Sequence, residues 1–227
     1  MPQPVDLEHH RAVNVAYFDR WAAGYDGGRI GPWFRYTQDL AIGALVLRPS
    51  SRILDVGCGT GTAVLRLAER VPQGRACGVD ISSAMIAEAE AKRPAGARGV
   101  EFRCASADAM PYPDGSFDHV LCTNSFHHYP DPLRALAEIR RVLAPGGQLV
   151  VLENAPDLSW YTWAWDHVLR RLEKGHVRYY PSSELGAMLT RAGFENTELL
   201  HLANERFKHG KVFASLQLWS AHSPTDR

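Results

Sequence analysis

Ile53-Leu54-Asp55-Val56-Gly57-Cys58-Gly59-Thr60-Gly61 is a short apolar run that breaks into three alternating glycines. Ala63, Val64, Leu67, Ala68 and Val71 follow at helical spacing, so the segment reads as strand, tight loop, helix. The unit repeats downstream. Ala76 to Asp80 reads as a second strand, and Ser82 or Ser83 caps a helix through Met85 and Ile86. Val100 to Cys104 and Phe117 to Thr123 read as the third and fourth strands. Asp131-Pro132 starts a helix with Leu133, Leu136, Ile139 and Leu143 on its apolar face. Ala144-Pro145-Gly146-Gly147 stops it, and Gln148 to Leu152 makes a fifth strand. Alternating strands and helices demand crossover connections, hence an α/β fold with a mostly parallel sheet covered on both faces.

Outside this core, residues 1–50 carry two helical patterns. Val13, Tyr17, Trp21 and Tyr25 recur every fourth residue, and Phe34, Leu40, Ala41, Ala44 and Leu45 form a second stripe ended by Arg48-Pro49. Residues 51–153 are the core. Residues 154–181 hold Ser159-Trp160-Tyr161-Thr162-Trp163-Ala164-Trp165, with three of the six tryptophans. Residues 182–227 read as a helix from Ser182 or Ser183 to Gly193, then strands at Thr197 to Leu202 and Val212 to Trp219 that pair as a hairpin. The whole is expected to be one domain.

Lysine plus arginine equals aspartate plus glutamate at 25 each, so no global field draws in nucleic acid. The four cysteines lack a CxxC pair, which argues against a zinc knuckle, a redox motif and a disulfide framework. No targeting segment and no uncharged apolar run of ~18 residues is visible, so a cytoplasmic chain without membrane insertion is expected. Oligomeric state is not encoded legibly.

A glycine loop at the carboxyl end of the first strand is where open α/β sheets bind nucleotides. Asp80, ending the second strand about 20 residues on, is placed to meet ribose hydroxyls, or alternatively to cap a helix. The dinucleotide fingerprint is GxGxxG, whose amides face a pyrophosphate. Here the order is GxGxG, with Thr62 at the third-glycine position and Asp55 two residues before the first glycine. An acid there repels a pyrophosphate and favours a ligand with a cationic amino-acid portion.

With these residues in view, the chain resembles the class I S-adenosylmethionine-dependent methyltransferases. The likeness is greatest to the subgroup of ubiquinone and menaquinone biosynthesis enzymes and other small-molecule methyltransferases. The matching stretches are 53–61, Gly78 to Ser82, Ala105 to Cys122, Asn124 to Pro132 and Leu143 to Glu153. The resemblance implies a doubly wound, seven-stranded, Rossmann-like sheet with S-adenosyl-L-methionine as cofactor. It implies that Asp55, Gly57, Gly59 and Gly61 line the methionine and ribose portion, that Asp80 takes the ribose hydroxyls, and that Ile81 lies against the adenine. Asp108 and Ala109 would read the adenine edge, Asn124 would lie near the amino-acid end, and Ser125 would point towards the reaction centre. Phe18 to Ala22 with Tyr25-Asp26 resembles a cover segment in which Tyr17 or Tyr25 closes over the cofactor. For both tyrosines, packing on one helical stripe is an equal alternative. Asp118 reads as a strand-start residue and Cys58 as a small filler.

Methyl transfer from a sulfonium is an in-line displacement that needs alignment more than a covalent nucleophile. A base would help with a phenol, alcohol or acidic carbon, and His127 and His128 follow the fourth strand at the right edge, with packing or capping as the alternative. The tetrapeptide Asn124-Ser125-Phe126-His127 departs from the [Asn/Asp]-Pro-Pro-aromatic pattern usual for amide or exocyclic amino nitrogens, which counts against nucleic-acid bases and protein amides. No carboxylate cluster suits magnesium, so no metal is expected. Trp160 with Trp163 and Tyr161 with Trp165 give two aromatic faces, one for a flat or apolar small-molecule acceptor and one for packing on the sheet, or both structural. Arg170, Arg171, Lys174, His176 and Arg178 make a basic cluster, either a solvated face or a match for an acidic acceptor group. The acceptor atom is left open between oxygen, carbon and nitrogen. A nicotinamide-dependent oxidoreductase and a non-catalytic cofactor-binding protein are the competing readings.

Overall fold

The computed structural model describes residues 7–27, 30–173, 175–207 and 212–226. Its core is a seven-stranded sheet ordered β3-β2-β1-β4-β5-β7-β6. These strands are β1 (Arg52–Val56), β2 (Arg75–Asp80), β3 (Val100–Cys104), β4 (Phe117–Thr123), β5 (Leu143–Asn154), β6 (Glu195–Phe207) and β7 (Val212–His222). The first five in chain order pair in parallel. β7 runs antiparallel between β5 and β6. The crossover helices are α3 (Thr62–Arg70), α4 (Ser83–Lys92) and α5 (Pro132–Val142), with α7 (Ser182–Arg191) leading into the hairpin.

The strand pleat divides the core in two. Leu54, Val56, Val120, Cys122, Leu149 and Val151 point to one face and pack with Leu136 and Ile139 of α5 and Leu185 and Leu189 of α7. Their neighbours Ile53, Leu121, Val150 and Leu152 point to the other, against Ala63, Val64 and Leu67 of α3 and Ile42 of α2 (Gly31–Gly43). The helix starts are set by local chemistry: Ser82 Oγ accepts the Met85 amide at 3.1 Å, and Asp131 accepts the Arg134 amide at 3.0 Å ahead of Pro132. Asp118 takes the Arg52 amide at 2.8 Å and its guanidinium at 2.6 Å, clamping the starts of β4 and β1 together.

Four sequence expectations change. α5 ends at Val142, and β5 begins directly at Leu143, where it pairs with Phe117 before a register shift. The Ala144-Pro145-Gly146-Gly147 stop is therefore part of the strand. α1 (Leu7–Trp21) closes before Tyr25, which follows a 3-10 turn at Ala22–Gly24. Its buried residue is the polar Asn14, not the aromatic stripe, because the helix lies over a cavity rather than on the sheet.

In α6 (Trp160–Leu172) the buried residues are Thr162 and Asp166. Tyr161 and Trp165 face a cavity, while Trp160 and Trp163 face solvent instead of packing on the sheet. The basic cluster is largely neutralised: Arg170 and His176 hold Asp166, and Arg178 holds Glu184. Lys174 of that cluster lies outside the described residues.

Candidate functional site

The glycine loop folds back over the end of β2. The amides of Gly57 and Cys58 both donate to Val79 O, at 2.8 and 3.0 Å, and the Gly61 amide donates to Cys58 O at 3.0 Å. Asp80 then receives the Gly59 amide on Oδ2 and the Ser82 amide on Oδ1, each at 2.9 Å. Four loop amides are thus consumed inside the protein and are not turned towards a pyrophosphate. Gly57 has φ +75°, and a Cβ there would lie 2.5 Å from that of Ser125. Only glycine lets the two segments meet.

Above the loop lies a crevice walled by Tyr25, Gly57, Gly59, Asp80, Ile81 and Asn124, with Ser125 and His128 at one end. Eight of the expected residues therefore come together. Ser125 is turned inward, donating to Val56 O at 3.0 Å and lying 3.0 Å from the Tyr129 hydroxyl. Asn124 adopts φ +51°. Its Nδ2 donates to Thr37 Oγ1 at 2.7 Å, and its Oδ1 is buried without a hydrogen-bond partner among the described residues.

Other expected residues stand apart from the crevice wall. Gly61, at φ +77°, packs beneath Phe102 and Ala89 and opens α3. Asp55 sits behind the loop, 2% exposed, with Oδ1 unpartnered among the described residues. Burial and the nearby Asp80 push its carboxyl up to about 7. The Asp108 carboxylate is bound by Arg11 and by Ser106 Oγ at 2.6 Å; burial raises its pKa, and the hydrogen bonds and the charges of Arg11 and Arg134 outweigh that and hold it below the ordinary value. Ala109 is exposed and bridges to Ser106. Ala105, Ser106 and Ala107 line the crevice in their place.

The N-terminal region closes the crevice from above. Asn14 Nδ2 donates to His128 O at 3.0 Å, Asp19 accepts from Ser82 Oγ at 2.5 Å, and Arg11 reaches Asp108. Asp26 accepts from Thr60 Oγ1 at 2.7 Å and pairs with Lys92, tying the cover to the glycine loop. Asp19 and Asp26 fall in the stretch that resembles a cover segment, whereas Arg11 and Asn14 carry no signal in the sequence because their partners are distant in the chain.

A second cavity of about 360 Å³ adjoins the first. Tyr17, Trp21, Phe34, Tyr161, Trp165 and Tyr179 supply most of its aromatic wall, and Glu173 is its acid. Tyr17 belongs here and not to the crevice, whereas Tyr25, stacked on Phe34 at 4.8 Å, faces both spaces. Phe18, Asn124 and His128 are likewise common to both.

His127 and His128 lie on a 3-10 turn after β4, and both are buried. The His128 ring nitrogen Nδ1 is 3.0 Å from Gly175 O, a pure acceptor, so Nδ1 carries the proton. His127 Nδ1 meets Glu153 Oε2 at 2.7 Å, and its ring lines the second cavity. Burial drives both imidazoles well below their ordinary basicity and pushes Glu153 up to about 7. Glu153 was seen in the sequence only as the end of a matching stretch.

Comparison with known proteins agrees with this geometry. A family described as a methyltransferase domain matches residues 54–151. The demethylmenaquinone methyltransferase of Thermus thermophilus is 45% identical over 126 residues, 55% of this chain and 54% of the relative. The ubiquinone/menaquinone biosynthesis C-methyltransferase UbiE of Vibrio cholerae is 32% identical over 226 residues, 87% of this chain and 85% of the relative. In fold, the YcgJ protein of Bacillus subtilis matches with a TM-score of 0.71 at 21% identity, covering 84% of this chain and 99% of that one.

The sheet order, with a crevice at the carboxyl ends of β1 and β2, defines a Rossmann-like α/β fold. The chain belongs to the S-adenosylmethionine-dependent methyltransferases. It spans 54% and 60% of the lengths of two demethylmenaquinone methyltransferases it matches.

Proposed function

We propose that the chain binds S-adenosyl-L-methionine in the crevice beneath α1 and methylates a small, flat, largely apolar acceptor held in the aromatic cavity. The observation that carries this reading is the shared partition of Phe18, Tyr25, Asn124 and His128 between the two spaces. Donor and acceptor would meet across it.

The crevice suits the cofactor in charge as well as shape. Asp55 Oδ1 and Asn124 Oδ1 are buried acceptors without partners among the described residues, and Asp80 keeps lone pairs beyond its two amide contacts. Asn124 would hold the cationic amino-acid end, with the Asp55 carboxyl behind the glycine loop supplying negative charge to it at longer range, and Asp80 would take the ribose hydroxyls, with Ile81 and Ala107 beside the base. Bound there, S-adenosylmethionine supplies a methyl group already activated by a sulfonium. The protein's part is to align the acceptor and to exclude water.

His127 is the base in this reading. Glu153 holds its Nδ1 edge, Nε2 has no hydrogen bond among the described residues, and a neutral ring can take a proton from an acceptor O–H or acidic C–H. His128, tied to Gly175 and Asn14, orients the turn. Among the described residues the single acid or base of full charge in the cavity wall is Glu173. Neutral planar acceptors fit better than anionic ones, and the relatives named for quinone biosynthesis point to a phenolic or quinonoid ring.

The test is transfer of a labelled methyl group to a panel of hydroquinones, phenols and amines, with products identified by mass spectrometry. Methylated phenolic or quinonoid product is expected. Tight binding of S-adenosylhomocysteine with no transfer to any acceptor would instead establish a non-catalytic binder.

A further inference from the structure

α6 is built inside out. Its buried side holds Thr162, hydrogen-bonded to Ser215, and Asp166, 2% exposed and engaged by Arg170, His176 and the Tyr179 amide. Its exposed apolar groups are Trp160 at 80% exposure, Trp163 at 55%, Trp165 at 56% and Leu172 at 73%. Residues 161, 165, 168 and 172 follow helical spacing, and Trp160 and Trp163 carry the exposed apolar surface further round the helix from that row. Burying two polar residues while leaving three tryptophans and a leucine exposed is unfavourable unless something apolar covers them.

Charge indicates what covers it. The chain as a whole is electrically balanced, yet the exposed ionic groups of α6 are Arg171 and the guanidinium of Arg170, which pairs with the helix's one acid, the buried Asp166. Leu172 shares a cleft of about 660 Å³ with Val13, Ala16 and exposed Arg20 of α1. Tryptophan and leucine beside arginine, with no exposed carboxylate on the helix, is the composition that settles at the headgroup level of an anionic bilayer. The same helix lines the aromatic cavity through Tyr161, Trp165 and Leu169.

We propose that the outer face of α6, with the adjoining edge of α1, is a docking surface for an anionic lipid membrane. The helix lies in the interface and does not span it; no described helix is long and apolar enough to cross a membrane. An apolar acceptor dissolved in the lipid then reaches the cavity along α6 without passing through water. The surface stands independently of which acceptor is methylated.

The experiment is flotation of the full chain with vesicles of phosphatidylcholine alone and of equimolar phosphatidylcholine and phosphatidylglycerol. Binding to the anionic vesicles is expected, weakened by salt and accompanied by a blue shift of tryptophan emission. The double variant Trp160→Ser/Trp163→Ser is expected to lose at least ~10-fold in partitioning per tryptophan removed. It should keep the wild-type circular dichroism and S-adenosylhomocysteine affinity, since neither residue touches the crevice or the cavity. Absence of flotation by the wild type, or equal flotation by the variant, overturns the proposal. So does a concentration-dependent dimer abolished by Trp160→Ser, which would make a second copy of the chain the cover.

Discussion

His127 Nδ1 lies 2.7 Å from Glu153 Oε2, and the other oxygen of that carboxyl accepts the Phe126 amide at 2.8 Å. One buried acid on β5 thereby fixes both the backbone of the turn after β4 and the ring that the turn carries. His127→Ala should lower kcat by ~10²- to 10⁴-fold with little change in cofactor affinity. Glu153→Gln keeps the shape but not the charge; kcat should fall by a smaller factor, and the acid limb of the kcat/KM profile should move. Steady-state kinetics across pH, alongside calorimetry with S-adenosylhomocysteine, checks both. An unchanged pH profile in both variants would remove His127 from the chemistry.

Asp55 gives a linked pH effect whose sign is fixed. Its folded carboxyl, at about 7, protonates more readily than the ordinary 3.8. Protonation therefore favours the fold, and the ligand-free protein loses stability as pH rises from ~3.8 through about 7. A cationic amino group needs the ionised form, so S-adenosylhomocysteine affinity should rise over the upper part of the same window, with proton release on binding. Asp55→Asn should flatten both curves, as read by thermal unfolding and by calorimetry in buffers of different ionisation enthalpy.

Gly61 and Gly96 share φ near +76° but not their surroundings. At Gly61 a Cβ would come within 2.8 Å of Phe102 and Ala89, while at Gly96 nothing lies within 4 Å. Gly96→Ala should cost only the backbone penalty of ~1 kcal/mol, and Gly61→Ala that penalty plus overpacking, roughly 2–5 kcal/mol together. Denaturant unfolding of the two variants checks the difference.

Ser82 Oγ both caps α4 and donates to Asp19 of the cover. Ser82→Ala should lower stability by ~1 kcal/mol, the usual worth of an N-cap. It should also loosen α1, seen as faster amide exchange around Asp19. Stability loss without faster exchange there would leave Ser82 as a cap alone.

The parallel core was legible because its signals are local. Apolar runs, the caps at Ser82 and Asp131 and the glycine turn each lie within a few residues, and all appear where periodicity puts them. Two kinds of feature were not. The hairpin runs longer than its apolar pattern, because Asn204 and Glu205 on β6 are paired by backbone bonds with Ser215 and Ala214 and require no apolar alternation. The cover contacts join Arg11 to Asp108 and Asp19 to Ser82 across long stretches of chain, which no spacing rule registers. The inverted burial of α6 also defeated pattern reading, since a tryptophan stripe reads as core until the sheet is seen to be occupied elsewhere.

The side chains Phe18, Tyr25, Asn124 and His128 act as a common membrane between two compartments, with Asn124 held in an unusual backbone twist at its centre. Pressure from one guest is felt by the other, so donor and acceptor affinities cannot be tuned separately at these four positions. Breadth of acceptor choice has to be varied on the far walls, at Tyr161, Trp165 and Tyr179, which the nucleoside side never touches.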